Sequence, residues 1–241
     1  MTDWDLVEGD RPRRALSTAR MIGPYFAIRL GTDSPGVPTD EFFEPSHLRS
    51  LVDAVAHRLG TDEPRVAASS IQYEIAERLW SVVLGSWVTD GLIPDLNPLR
   101  YGRSPVGRIR LHVANPTAWE RLSATPTETA SVVAGVVVSR LTSLHVALGH
   151  VTRVADGLLW GNAATALTLA TQTLSNRGKP DRDLIAVSRA LLEIPPLADR
   201  LDGDVTGRIV RRTCCLYYRT AARRACGDCP LIDSAVVRSR A

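Results

Sequence analysis

Cys214, Cys215, Cys226 and Cys229 are the only cysteines among 241 residues, and they fall within a window of sixteen. Their pattern is C-C-x10-C-x2-C. Four thiolates in one short stretch can close around one metal centre. Cys226-Gly-Asp-Cys229 is a chelate in which two intervening residues let both sulfurs reach one ion, and Gly227 eases the turn. The adjacent pair Cys214-Cys215 is less usual, because neighbouring side chains diverge by about 100° on a helix or to opposite faces on a strand. Such a pair reaches one centre most easily at a bend, or when bridging sulfides lie between the metals. The ten residues from Leu216 to Ala225 favour helix, and as a straight helix they would rise about 15 Å. The ligands of one small centre sit much closer, so this stretch must fold back.

Several centres suit these residues. A [2Fe–2S] cluster takes four cysteine thiolates, and so does a structural zinc. On bonding alone the two stand level. Common zinc patterns repeat C-x2-C, and the adjacent half departs from them. A dithiol redox pair would leave two thiols idle. Disulfides are disfavoured if the chain works in the cytosol. No basic region followed by an apolar run opens the sequence, and the expectation is a cytoplasmic protein. The most apolar stretch, Val132 to Val138, is far shorter than the ~20 residues a membrane span needs.

The elements that must position the cysteines read as mostly helical. Leu48, Leu51, Val52, Val55 and Leu59 keep helical spacing, with Ser46 as the expected N-cap and Gly60 as the stop. A second helix is expected from about 67 to 87, and others over about 128–148, 151–175, 183–192 and 198–212. Gly157 and Gly161 suggest a kink or break in the fourth. Between Leu92 and Pro126 the prolines at 94, 98, 105 and 116 break the pattern. Ile109, Leu111 and Val113 alternate with Arg110 and His112 as in a half-buried strand, and 25–30 suggests another. The fold class is therefore α+β and predominantly α-helical. A single domain is expected, with a small antiparallel β element and a cysteine-rich C-terminal segment. In it, 1–205 form the body and 206–241 the segment that holds the centre.

Composition is that of a globular protein, with 44% hydrophobic and 23% charged residues and a net charge of +3. That charge is too small for a general nucleic-acid binder. From Val205 onward, however, eight arginines (208, 211, 212, 219, 223, 224, 238, 240) face two acids, Asp228 and Asp233. Lys179 is the sole lysine. Arginines beside a thiolate-held cluster would favour its reduced state, and a basic tail can steer an acidic partner. Any one of these arginines taken alone is more often simply solvated.

At the cysteines the sequence resembles the FhuF-type ferric-siderophore reductases, whose C-C-x10-C-x2-C ending Cys214, Cys215, Cys226 and Cys229 match position for position. The flanks 211–219 and 226–231 are also similar. The resemblance continues less specifically through 68–80 and Leu159-Trp-Gly-Asn162, stretches that are also similar to the C-terminal part of siderophore synthetases. It implies a [2Fe–2S] cofactor held by the four cysteines, and a one-electron oxidoreductase acting on Fe(III) in a siderophore, chiefly a hydroxamate. The expected division is Cys226 with Cys229 on one iron and Cys214 with Cys215 on the other. The partners implied are the ferric siderophore and a separate electron donor such as a flavoprotein or ferredoxin, since no G-x-G-x-x-G follows a strand. Peripheral membrane association is compatible with it. The alternatives are a non-enzymatic zinc- or iron–sulfur-bearing interaction or sensor protein, and a siderophore-biosynthesis relative that has lost activity.

Elsewhere the chemistry is sparse. His47, His57, His112, His145 and His150 have no metal-ligand spacing and are expected to be structural or surface histidines. Trp80 and Trp87 lie seven apart and are expected in the core. Trp160-Gly-Asn162 is expected to pack a helix, with Asn162 bonding to nearby backbone, in preference to lining a ligand pocket. Asp181 and Asp183 are expected in a turn and a cap.

Overall fold

The computed structural model describes residues 4–32, 36–104, 107–178 and 183–232. Pro105, the turn residues Lys179 to Asp181, Asp233, Arg238 and Arg240 lie outside them. In chain order the elements begin with β1 (Asp5–Val7), α1 (Asp10–Arg20), β2 (Ile28–Leu30), β3 (Val37–Pro38), α2 (Thr39–Phe42), α3 (Pro45–Leu59) and α4 (Pro64–Asp90). Next come β4 (Ile93–Pro94), β5 (Arg100–Arg103), β6 (Ile109–Val113), β7 (Ala118–Glu120), α5 (Pro126–Gly149), α6 (Asp156–Ser175) and α7 (Leu184–Leu192). The hairpin strands β8 (Leu201–Gly203) and β9 (Ile209–Arg211) lead into the cysteine segment. The fold is α+β and mostly helical, as the periodicity predicts.

The centre of the molecule is α4. Nineteen of its 27 residues are buried, so it is enclosed on every side rather than amphipathic. Pro64 opens it and Gly91, in the left-handed region at φ 75°, ends it. Trp80 is fully buried on it and Trp87 nearly so; truncating Trp80 to Ala would cost about 3–5 kcal/mol. α4 packs chiefly on α6, with α1, α3 and α5 around it. α3 starts one residue before Ser46, with Glu44 rather than Ser46 at the N-cap, and Gly60 ends it at φ 60°. A capping box between Thr125 and Glu128 starts α5. By length and composition α5 is long and apolar enough to cross a membrane, which the short run Val132 to Val138 did not suggest. Val133, Val137, Leu141, Leu144 and Leu148 on it are fully buried in the core.

The β structure is more extensive than one small antiparallel element. Three strands align in the order β1-β7-β4 and four in the order β2-β6-β5-β3. β2 runs parallel to β6, Ile28 facing Leu111, while β5 pairs with β6 antiparallel. The expected strand over 25–30 is shorter, because Pro24–Phe26 form a 3-10 turn first.

Two expectations near the site are corrected. The helix predicted for 198–212 is instead the β8–β9 hairpin. Asp202-Gly203 and Thr206-Gly207 supply turn residues, and Asp204 accepts hydrogen bonds from the Thr206 amide and hydroxyl (2.9 and 2.6 Å). α6 is continuous through Gly157 and Gly161. These glycines do not break it; they let the cysteine segment approach.

Candidate metal centre

Strand β9 delivers Arg211 to the core and the chain to Thr213. The Thr213 hydroxyl donates to the Gly157 carbonyl (3.0 Å). A methyl group at Gly161 would lie 2.6 Å from that hydroxyl oxygen. The C-C pair is thus held against one face of α6, which two glycines leave bare. On the α4 side the Ser69 hydroxyl donates to the Cys215 carbonyl (2.8 Å).

The chain then turns back as its length requires. Leu216 sits in the left-handed region at φ 68°, Tyr217–Arg219 form one 3-10 turn, and Arg223 has φ 46°. The Ala221 amide donates to the Leu59 carbonyl at the end of α3 (2.9 Å), and Arg219 Nη1 to Glu63 (2.9 Å). A methyl group at Gly60 would come within 2.7 Å of Ala221 Cβ. The loop between the cysteine pairs is pinned where α3 ends.

Its return brings the two halves of the motif together. Cys215 Sγ and Cys226 Sγ lie 3.4 Å apart, near the ~3.7 Å expected for two thiolates on one tetrahedral metal with ~2.3 Å bonds. This contact joins one cysteine from each half of the motif. Just after the adjacent pair the chain turns at Leu216, whose amide donates to Cys214 Sγ (3.3 Å). Cys229 is buried, and the other three are partly exposed. Among the described residues no three His, Cys, Asp or Glu side chains gather as the ligands of a single ion. The donors are all sulfur, which suits soft, thiolate-held centres.

Beneath the loop lies a buried polar network. Arg211 Nε donates to Asp228 Oδ2 and its Nη1 to Asn162 Oδ1. The Arg211 amide donates to the Asp228 carbonyl (3.0 Å), and the Thr165 hydroxyl to Asp228 Oδ2 (2.8 Å). Asn162 Nδ2 donates to both the carbonyl and the hydroxyl of Ser69 (3.1 Å each). The guanidinium also lies over the Tyr73 ring, 5.5 Å from its centroid. Burial alone would push Arg211 down; Asp228 and the Cys215 sulfur outweigh it and hold the cation. Burial would raise the Asp228 carboxyl, and Arg211 instead keeps it below its ordinary value. Between the touching thiols, their mutual hydrogen bond draws Cys215 down, against burial and with help from Arg211. Cys226 is pushed up correspondingly, and burial raises Cys214.

Residues 211–231 match the family model of the FhuF 2Fe-2S C-terminal domain. The match begins at Arg211, the buried cation, and includes all four cysteines. The cofactor of this FhuF-type segment is a [2Fe–2S] cluster. No curated protein matches the chain.

The network had not been singled out from the sequence. Asn162 bonds to backbone, the Ser69 carbonyl, as expected, but Arg211 is a further partner, and Asn162 also lines the groove beside the cysteine loop. The basic tail is less free than its composition suggests: Arg211 pairs with Asp228, Arg212 with Asp199 and Asp202, and Arg219 with Glu63. Arg223 and Arg224 are exposed. His145 is a core histidine, set edge-on to Trp160 with centroids 4.3 Å apart, and His112 is buried in β6. Asp183 caps α7 by accepting from the Ala186 amide (3.0 Å).

Proposed function

We propose that this protein is a cytosolic ferric-siderophore reductase that passes one electron to Fe(III) held by a hydroxamate siderophore and so releases Fe(II). The observation that carries this reading is the FhuF-type segment itself, folded back so that both halves of its cysteine motif meet at the surface of a helical body. When bound, the [2Fe–2S] cluster supplies a one-electron donor. One electron reduces the chelated Fe(III) to Fe(II), with no covalent bond to the protein. Hydroxamate oxygens are hard donors and hold Fe(II) far more weakly than Fe(III).

The chain's own residues have three tasks. The cysteine loop, stapled to α3, α4 and α6, holds the thiolates. Arg211 puts a buried positive charge beside Cys215 and Cys226, which favours the reduced state. The partial exposure of Cys214, Cys215 and Cys226 leaves an edge open to electron exchange. Electrons come from a separate flavoprotein or ferredoxin, and the exposed Arg223 and Arg224 are the charges available to steer an acidic donor.

The test is anaerobic purification followed by stopped-flow mixing of dithionite-reduced protein with ferrioxamine. The reading expects a [2Fe–2S] visible spectrum and reoxidation much faster than in buffer. A colourless protein holding zinc without acid-labile sulfide would refute it, as would reoxidation no faster than the buffer control.

A further inference from the structure

A groove of about 770 Å³ opens between α4, α6, the β8–β9 hairpin and the cysteine loop. That volume suits a ligand the size of an iron chelate. Cys215 and Cys226 line it, and Cys214 and Cys229 do not. One wall is a single face of α4, where Ser69, Tyr73 and Glu77 follow at intervals of four. Ser69 is bonded to the Cys215 carbonyl, so this face runs about 12 Å away from the sulfurs at 1.5 Å per residue.

The groove gathers polar groups that the protein leaves unused. Among the described residues, no hydrogen bond engages the hydroxyls of Tyr25, Ser70 and Tyr73, the carboxyl of Glu77 or the guanidinium of Arg224, all of which line it. The two phenols keep their protons, since burial raises both. They therefore present donors, as does Arg224. The Glu77 carboxyl is the one acceptor among these groups, at the end of the α4 face far from the sulfurs, and the ligand the donors fit is rich in acceptor oxygens. Leu169, on the opposite wall, is partly exposed to the same space.

We propose that this groove is the docking site of the ferric chelate, and that a trihydroxamate complex lies along the α4 face with its iron over the Cys215–Cys226 edge. The proposal rests on the reductase reading for its choice of ligand. Tyr25, Tyr73 and Arg224 donate to the hydroxamate oxygens, and electron exchange occurs on this side of the centre.

The test uses cluster-loaded protein and the redox-inert Ga(III) complex of desferrioxamine B, with binding followed by calorimetry. Leu169→Trp fills the groove from an exposed position and should weaken binding at least about tenfold. Tyr73→Phe, which removes one donor, should weaken it roughly three- to tenfold. Leu122→Trp, at a residue 94% exposed and outside the groove lining, should change nothing. The visible spectrum should be the same in all. If Leu169→Trp and Tyr73→Phe bind like wild type while the ferric complex still reoxidises reduced wild type, the chelate docks elsewhere and this proposal falls alone. If the substitutions weaken binding but the ferric complex never reoxidises wild type, the groove stands and the reductase reading falls. Absence of both binding and reoxidation in wild type overturns both.

Discussion

Replacing Arg211 by Met tests whether the buried ion pair holds the cysteine loop to the body. Met keeps most of the length and removes the charge. Arg211 and Asp228 side chains are only 4% and 12% exposed. After substitution Asp228 keeps the Thr165 hydroxyl at 2.8 Å but loses its cation, and Asn162 Oδ1 loses its partner. Breaking a buried pair from one side costs about 3–5 kcal/mol, and an orphaned buried carbonyl adds roughly 1–3. These overlap, so a loss of about 4 kcal/mol is expected. Removing both charges costs much less, since a buried pair is often no better than neutral groups of the same shape. Arg211→Met/Asp228→Asn should therefore recover most of the loss, with a coupling energy of about 2–3 kcal/mol. Anaerobic urea unfolding of the cluster-loaded protein measures both. A redox titration followed by electron paramagnetic resonance adds a readout that packing alone would not move: the single variant should have a lower midpoint potential and the double variant one nearer wild type. The reasoning is refuted if Arg211→Met costs less than about 1 kcal/mol, or if the double variant is no more stable than the single one.

Three further outcomes are expected. Gly161→Ala gains up to about 1 kcal/mol of helix propensity but puts a methyl 2.6 Å from Thr213 Oγ1, so it should lose about 1–3 kcal/mol net; Thr213→Ala in the same chain should restore stability in the same urea assay. His145 is held neutral because burial lowers it from 6.5 to about 4, and Gln72 Nε2 donates to its Nε2 (3.0 Å). Its contribution is present above pH 6.5 and is lost as pH falls from 6.5 towards 4, by about 3 kcal/mol at most; unfolding across that range should be less acid-sensitive in His145→Gln. Glu77 is raised by burial from 4.5 to about 7, so its contribution is present below pH 4.5 and lost as pH rises through 7. Glu77→Gln should be more stable than wild type at pH 8, by about 1 kcal/mol after allowing for solvent screening, and equal to it near pH 4.5.

The helices were legible where apolar spacing and stop residues agreed. Leu48 to Leu59 with Gly60 is such a case, and so is the run through α4 to Gly91. The β8–β9 hairpin was hidden because Val205, Ile209 and Val210 mimic a helical stripe, although Asp202-Gly203 and Thr206-Gly207 are turn signals within it. The parallel pairing of β2 with β6 joins residues more than eighty apart, which no local pattern reports. The cysteine motif was legible because its residues are rare and fall in one short window. The Arg211 network was not, since its partners lie on three separate segments at Ser69, Asn162 and Asp228. One signal did exist. Gly161, Asn162 and Thr165 interrupt an otherwise apolar part of α6, and a buried helix carries such residues where something polar must dock.

The same arrangement brings one member of the adjacent cysteine pair, Cys215, to Cys226 in the other half of the motif. Neighbouring side chains diverge from a straight segment, the chain turns back just after the pair, and the ten-residue loop that follows is costly to order. Here that cost is met by the body. Thr213 fixes the approach on α6, Ser69 fixes Cys215 on α4, Ala221 and Arg219 fix the loop on α3 and Glu63, and Arg211 fixes Asp228 between Cys226 and Cys229. The contacts engage each part of the loop from a different element. The distance between Cys215 and Cys226 is therefore set by the packing of α3, α4 and α6. It follows that the helical body, remote from the motif in sequence, sets how closely Cys215 and Cys226 approach.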